Sequence, residues 1–131
     1  MQRMILTILL GGLLSACLLW ANVRERQQTQ FREGVAGELN GSFMVALTGY
    51  ESAIRMYLPF SSTIHHAALR IWSLGELAEQ RGDLEQALIA YRSLRSAFYS
   101  TRWLRQPGQT WINRCDARIA ALIPLRKGNR P

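Results

Sequence analysis

The chain has 131 residues, which allows one small domain and an additional segment. It carries 16 Lys+Arg against 9 Asp+Glu, a net charge of +7, and all of the cations except Lys127 are arginines. This excess suits contact with anionic lipid, nucleic acid or acidic proteins, but it carries no information about the fold. The 2 cysteines, Cys17 and Cys115, exclude a disulfide framework, because Cys17 lies inside an apolar run.

The apolar run at residues 4–23 contains no charged side chain. A helix of this length spans about 30 Å, the hydrocarbon thickness of a bilayer. Arg3 precedes the run, Arg24 follows it, and Trp20 falls where an interfacial aromatic residue would lie. We therefore predict a short tail at residues 1–3 and a single-pass transmembrane anchor at residues 4–23, with the lipid bilayer as a binding partner.

The same run contains the letters LSAC at residues 14–17, which match the box at which bacterial lipoproteins are cut and lipidated on the cysteine. The apolar core of a secretory signal is about 7–15 residues long and ends at the cleavage site. Here the apolar character continues beyond Cys17 as far as Trp20, where a lipoprotein would begin a polar tether. An uncut anchor fits these residues better, and lipidation at Cys17 is the alternative.

Two signals give opposite orientations of the anchor. Arg24, Arg26 and Arg32 outnumber Arg3 and the amino terminus, which places the following domain in the cytoplasm by the positive-inside rule. A short basic start followed at once by an apolar run resembles an export signal instead. We expect a bacterial inner-membrane protein with its domain on the periplasmic side. A domain on the cytoplasmic side is the alternative.

An internal repeat follows the anchor. Shifting the chain by 41 residues aligns residues 27–58 with residues 68–99. The aligned positions hold small, turn-forming and aromatic residues, which is the pattern of a helical hairpin. The pairs are Phe31 and Trp72, Gly34 and Gly75, Glu38 and Glu79, Gly41 and Gly82, Ala46 and Ala87, Leu47 and Leu88, Tyr50 and Tyr91, and Ser52 and Ser93.

These patterns predict an all-α domain at residues 24–123, with a first helix that can continue directly from the anchor. The predicted helices lie near residues 27–40, 43–57, 63–81 and 84–104, with breaks at Gly41, Pro59 and Gly82. A last helix at 110–123 places Trp111, Cys115, Ile119 and Leu122 on one apolar face, which suits a helix that covers the end of a repeat array. Residues 124–131 are predicted to be a disordered tail.

The second copy closely resembles a tetratricopeptide repeat over residues 68–101, and residues 27–59 resemble one more loosely. The residues that carry the resemblance are Leu74, Gly75, Ala78, Gly82, Asp83, Ala87, Tyr91 and Leu94. The usual period of that family is about 34 residues, so the longer interval here implies additional residues around FSSTIHH. The resemblance implies two tetratricopeptide-like hairpins with a capping helix, and the binding of a protein partner.

In that family the inner groove is lined by the first helix of each hairpin. The resemblance therefore implies a partner-binding groove that includes Phe31, Val35, Glu38, Leu69, Trp72, Glu76 and Glu79. This apolar and acidic lining lacks the basic and amide residues with which members clamp a peptide's terminal carboxylate. The same side chains also suit packing in the core or at a partner interface.

A second candidate surface is a basic stripe, which consists of Arg92, Arg95, Tyr99 and Arg102. Their spacing of three, four and three residues places them on one face of the fourth helix. The stripe fits a solvated face with Arg–Tyr stacking, and it also fits an acidic protein or anionic lipid headgroups. Nucleic acid is not expected, because no recognition motif accompanies the charge.

No catalytic constellation is visible in the sequence. His65 and His66 have no acidic or cysteine ligand at a metal-site spacing, and Cys115 has no partnered base. We therefore expect no enzyme activity, no cofactor and no metal. The expected function is a membrane-anchored helical-repeat scaffold or adaptor in a bacterial envelope complex. The alternatives are an exported lipoprotein that acts as an envelope assembly factor and a structural subunit of a larger membrane complex.

Overall fold

A computed structural model describes residues 1–59, 61–101 and 108–128 of the chain. These residues form helices and connecting turns, with no strand among them, so the predicted all-α class is confirmed for this part of the chain. The helices are α1 (Gln2–Leu39), α2 (Phe43–Arg55), α3 (Ser62–Gln80), α4 (Leu84–Ser100) and α5 (Gln109–Gly128). The predicted end of the fourth helix at residue 104 lies outside the described residues.

Helix α1 has two halves with different surroundings. Residues 1–26 are exposed throughout, whereas Gln27, Gly34 and Gly37 are buried against the rest of the domain. By length and composition, α1 is able to cross a membrane. The helix has no break between its apolar half and its packed half, so the apolar run continues directly into the first domain helix. The membrane anchor itself stays a prediction.

Both hairpins turn at a glycine in the left-handed region of backbone conformation. Gly41 has φ +69° and Gly82 has φ +77°, and glycine adopts this conformation without the steric penalty that other residues meet. Equivalent backbone bonds close the two turns, since Ser42 N–H donates to Gly37 O at 2.8 Å and Asp83 N–H donates to Ala78 O at 2.9 Å. Asp83 then caps α4 by accepting a hydrogen bond from Gln86 N–H at 3.0 Å.

The two hairpins pack a tyrosine ring against a glycine in the same way. A Cβ atom placed on Gly34 would lie 2.6 Å from the ring of Tyr50, and a Cβ atom on Gly75 would lie 2.7 Å from the ring of Tyr91. Both tyrosine side chains are completely buried. The glycines therefore let each tyrosine lie directly on the backbone of the preceding helix, which explains their presence inside helices that they weaken.

The core runs from α2 to α5. The apolar side chains at helical spacing on α4 are buried, namely Ala87, Tyr91, Leu94 and Phe98. So are the predicted apolar residues of α5, Trp111, Cys115, Ile119 and Leu122, and α5 packs mainly against α4. Helix α5 does not end at residue 123 as predicted, because it continues through Pro124 to Gly128. Proline inside a helix removes a hydrogen bond and crowds the preceding turn, yet the helix continues beyond it, and Arg126 Nη1 lies 3.4 Å from Glu85 Oε1 of α4. Residues 124–128 are thus not a disordered tail, and residues 129–131 lie outside the described part.

Gln27 joins α1 to the connection between the hairpins, at residues 56–61. Its amide nitrogen donates to Ala53 O at 3.0 Å and to Met56 O at 2.9 Å, and its amide oxygen accepts from Ser61 Oγ at 2.6 Å. The two carbonyl groups lie at the C-terminal end of α2, where helical partners are missing. This cap explains why α2 ends at Arg55, before the predicted residue 57.

We expect Gly75→Leu to destabilise the domain by about 3 kcal/mol, because the new side chain would displace the buried Tyr91 ring. Tyr91→Ala should cost about 3 kcal/mol or more. The matched control is Gly128→Leu, since nothing lies within 4 Å of a Cβ at that position. Thermal unfolding of the full chain in detergent measures both effects, and an unchanged melting temperature in Gly75→Leu would contradict the packing described.

Gln27→Ala should destabilise the domain by about 2–4 kcal/mol, because it leaves two buried carbonyl groups and one hydroxyl without their partner. Gln30→Ala is the control, since the Gln30 amide makes an exposed bond to Glu33. Urea titration followed by circular dichroism compares the two variants. Equal stability would show that the Gln27 bonds contribute nothing.

Candidate partner-binding surface

The predicted groove residues on α1 belong to the interior of the first hairpin. Phe31 and Val35 are half-buried and pack against the core. The ring centroid of Phe31 lies 5.3 Å from that of Tyr50, in a tilted arrangement. These two side chains therefore stabilise the hairpin, and only a part of each remains accessible to a partner.

Two of the predicted groove residues on α3, Trp72 and Glu76, lie beside two residues of α5, Trp111 and Arg114. We call these four residues the Trp72–Arg114 cluster. The Arg114 guanidinium lies 4.3 Å from the Trp72 ring centroid and 4.7 Å from that of Trp111. The two indole centroids are 6.1 Å apart. Trp72 Nε1 donates to Glu76 Oε1 at 2.7 Å. The helical spacing produces this arrangement, because residues three or four apart share one face.

The cluster has a buried base and an exposed top. Trp111 is 9% exposed, and Trp72 is half-buried against Tyr91 at a centroid distance of 4.8 Å. Arg114 and Glu76 are exposed. The tryptophans therefore hold the Arg114 guanidinium in a fixed position at the surface, where its donors can reach a partner.

Glu79 is committed to contacts inside the domain. It accepts a hydrogen bond from Tyr91 Oη at 2.6 Å and is paired with the Arg118 guanidinium. Burial alone would raise the pKa of Glu79, but the hydrogen bonds from Arg118 and Tyr91 outweigh it and lower the pKa below its usual value. The carboxylate is thus charged and is already neutralised by an arginine of α5.

Glu38 makes the equivalent contacts in the first hairpin. It accepts from Tyr50 Oη at 2.6 Å and from Arg70 of α3 at 3.2 Å. Burial and the bonded carboxylate raise the pKa of Tyr50 well above its ordinary value. Two carboxylates of the predicted acidic lining therefore form ion pairs within the domain, Glu38 of α1 with α3 and Glu79 of α3 with α5.

Sequence reasoning missed the three arginines that complete this surface, namely Arg70, Arg114 and Arg118. None of them belongs to the aligned repeat pairs, and each contacts a residue on a helix other than its own. The spacing of Trp111 and Arg114 was a usable signal, because it places an aromatic ring and a cation on one face of the last helix.

The structure neutralises a part of the predicted basic stripe. Arg95 Nη1 pairs with Asp116 Oδ1 of α5 at 2.7 Å, and this hydrogen bond raises the pKa of Arg95. Arg92 is exposed, and Tyr99 is 42% exposed. Arg102 lies outside the described residues. Arg92 is therefore the described arginine of the stripe that remains open to a partner.

The cysteines and histidines show no arrangement for chemistry in the described ranges. Burial raises the pKa of Cys115 to about 12, so its thiol is protonated at neutral pH. His65 and His66 are exposed, with ring centroids 6.2 Å apart. Among the described residues, no three His, Cys, Asp or Glu side chains are grouped as a metal site. Cys17 is exposed on the apolar half of α1, and its lipidation stays a prediction.

Comparison with known proteins identifies no family for this chain. No family model, no curated protein and no solved structure matches it significantly. The tetratricopeptide resemblance therefore depends on the residues at 68–101 themselves.

We expect Glu79→Gln to lower the free energy of unfolding at neutral pH by about 1–2 kcal/mol, because Arg118 loses its charged partner but is half exposed. The depressed pKa gives stability that is complete above the ordinary value of 4.5 and is lost as the pH falls through the folded-state pKa. The variant should lose this part of the acid dependence.

Urea titrations from neutral to acid pH measure the difference between Glu79→Gln and the wild type. The control is Glu76→Gln, whose amide oxygen can still accept the Trp72 hydrogen bond. Parallel pH profiles for the wild type and Glu79→Gln would contradict the assigned ion pair.

Proposed function

We propose that this protein is a membrane-anchored helical-repeat scaffold that docks a protein partner in a bacterial envelope complex. The observation that carries the proposal is that α1 passes without a break from a fully exposed apolar half into a packed domain. An exposed apolar helix of this length is stable in a bilayer and is a poor surface in water. The domain is thereby held at the membrane, where it acts by binding and performs no chemistry.

Matching contacts in the two hairpins support a tetratricopeptide-like arrangement. In each hairpin a tyrosine of the second helix packs on a glycine and donates to a glutamate of the first helix. An arginine of α3 or of α5, respectively, then pairs with that glutamate. Such stacked hairpins typically serve to present a binding surface, because each unit buries its core against the next.

The Trp72–Arg114 cluster is the surface that we propose for the partner. Tryptophan and arginine are enriched among the residues that dominate binding energies at protein interfaces. The Arg114 guanidinium can donate two hydrogen bonds to a carboxylate of the partner, while the indole rings provide apolar area beside it. The partner is thus a protein that presents an acidic side chain next to an apolar or aromatic one.

We place the domain on the periplasmic side of an inner membrane, on the basis of the short basic start before the apolar run. The supporting experiment is a pair of fusions after Pro131, one to alkaline phosphatase and one to a fluorescent protein that folds only in the cytoplasm. Phosphatase activity together with the full-length mass is the expected result. A shortened, lipid-bearing chain that begins at Cys17 would favour the lipoprotein alternative, and fluorescence would place the domain in the cytoplasm.

Arg114→Glu should abolish partner binding, because it reverses the charge that faces the partner's carboxylate. We expect Trp72→Ala to weaken binding by about 2 kcal/mol or more, or roughly 30-fold. A photo-cross-linking residue at the exposed position Ser73 reports on the complex in cells as a discrete cross-linked band.

The matched control for this experiment is Arg92→Glu, which makes the same charge change on the other candidate surface and should keep the band. Loss of the band only in Arg92→Glu would move the binding site to the basic stripe. The absence of any cross-linked protein in the wild type would contradict the scaffold function.

A further inference from the structure

The connection at residues 56–61 lies close to the end of the apolar run. A helix rises about 1.5 Å per residue, so Gln27 lies about 6 Å beyond Val23 along α1. The headgroup layer on each side of a bilayer is about 5–7 Å thick, because the whole bilayer exceeds its hydrocarbon core by about 10–15 Å. If residues 4–23 span the membrane, Gln27 therefore lies at the level of the headgroups.

The bonds of Gln27 fix the connection at the same level. The side chain is completely buried, and it binds both Met56 O and Ser61 Oγ. Neither end of the connection can move away from α1 without leaving a buried amide group unpaired, which is costly. The height of this connection above the apolar run is thus a property of the fold.

The first turn of α3 extends even closer to the apolar half of α1. A cavity of about 130 Å³ is lined by Trp20 and Arg24 on one side and by Leu58, Ser62 and Thr63 on the other. Trp20 belongs to the last turn of the predicted anchor. The start of α3 therefore lies beside the end of the apolar run.

The side chains at this level are those that suit a membrane interface. The Arg24 guanidinium lies 5.3 Å from the ring centroid of Trp20, and Tyr57 is 42% exposed. Ser62 presents a hydroxyl group, and the sequence from Met56 to His66 contains no acidic residue. Tryptophan, tyrosine and arginine are favoured at the depth of the headgroups, where one end of the side chain is apolar and the other polar.

We propose that this end of the domain is a lipid-binding surface, formed by Arg24, Tyr57, Ser62 and Thr63, which lies in the headgroup layer and contacts phospholipid headgroups. The inference rests on the proposed membrane anchor. The occupant is the bilayer itself, because α1 brings the headgroup layer to these side chains. Trp72 lies ten residues beyond Ser62 on α3, so the Trp72–Arg114 cluster lies about 15 Å farther from the membrane.

The test uses the full chain in lipid vesicles, with a fluorescent label on single cysteines. All variants carry Cys17→Ala, and Cys115 stays unlabelled because its thiol is buried and protonated. Ser62→Cys is nearly isosteric and reports on the proposed surface, and Tyr57→Cys provides a second position on it. Leu39→Cys, at the far end of α1, and Leu10→Cys, in the apolar run, are the controls.

The vesicles contain lipids with a nitroxide either on the headgroup or within the acyl chain. We expect the headgroup nitroxide to quench the labels at positions 62 and 57, the acyl-chain nitroxide to quench the label at 10, and neither to quench the label at 39. Quenching at 10 without quenching at 62 and 57 would overturn the lipid-binding surface and leave the anchor in place. Absence of quenching at 10 would overturn the anchor and the surface together.

Discussion

Gln27 is completely buried on a helix whose preceding residues are all exposed, and the arrangement of the molecule depends on its bonds. The amide caps the end of α2 and holds the start of α3. A buried amide must find partners for both its nitrogen and its oxygen, so the geometry is satisfied in only a few arrangements of these helices. These hydrogen bonds lie about one helical turn beyond the apolar run. They therefore fix the positions of the end of α2 and the start of α3 relative to α1.

The contact between a glycine and a tyrosine sets the distance between the helices of each hairpin. A glycine inside a helix lowers its stability by about 1 kcal/mol relative to alanine, and the buried aromatic ring that it admits offsets this loss. The tyrosine hydroxyl then needs a partner, which Glu38 and Glu79 supply. Each glutamate in turn pairs with an arginine of another helix, Glu38 with Arg70 of α3 and Glu79 with Arg118 of α5. In each hairpin the glycine thus permits the close packing of the tyrosine ring, and the tyrosine hydroxyl and the arginine both bind the same glutamate.

Much of this fold could be predicted from the sequence, because the signals are local. Gly41 and Gly82 mark turns, Asp83 marks a helix start, and the periodic apolar residues on α4 and α5 mark buried faces. The role of Gln27 could not be predicted, since its partners are carbonyl groups of a distant segment. The prediction placed the end of the last helix at residue 123, whereas α5 continues to Gly128 and Arg126 contacts Glu85 of α4.

The candidate site was predictable only in part, for a related reason. Trp72 and Glu76 were identified from their place in the repeat. The spacing of residues along one helix does not predict which side chains of another helix they will contact. Glu79 therefore appeared to be available for a partner, whereas Arg118 and Tyr91 occupy it. Arg114 belongs to the site because its guanidinium lies over the Trp72 ring of α3 and the Trp111 ring of its own helix, α5.

The proposed function requires that one continuous helix belongs to both the membrane and the domain. Amide hydrogen exchange on the full chain in a bilayer, read along α1 by mass spectrometry, tests this requirement. We expect continuous protection from the apolar run through Gln27 to the packed half of α1, since every amide there would be held in a helix by lipid or by the core. Fast exchange over residues 24–28, with protection on both sides, would reveal a hinge between anchor and domain and would contradict the account.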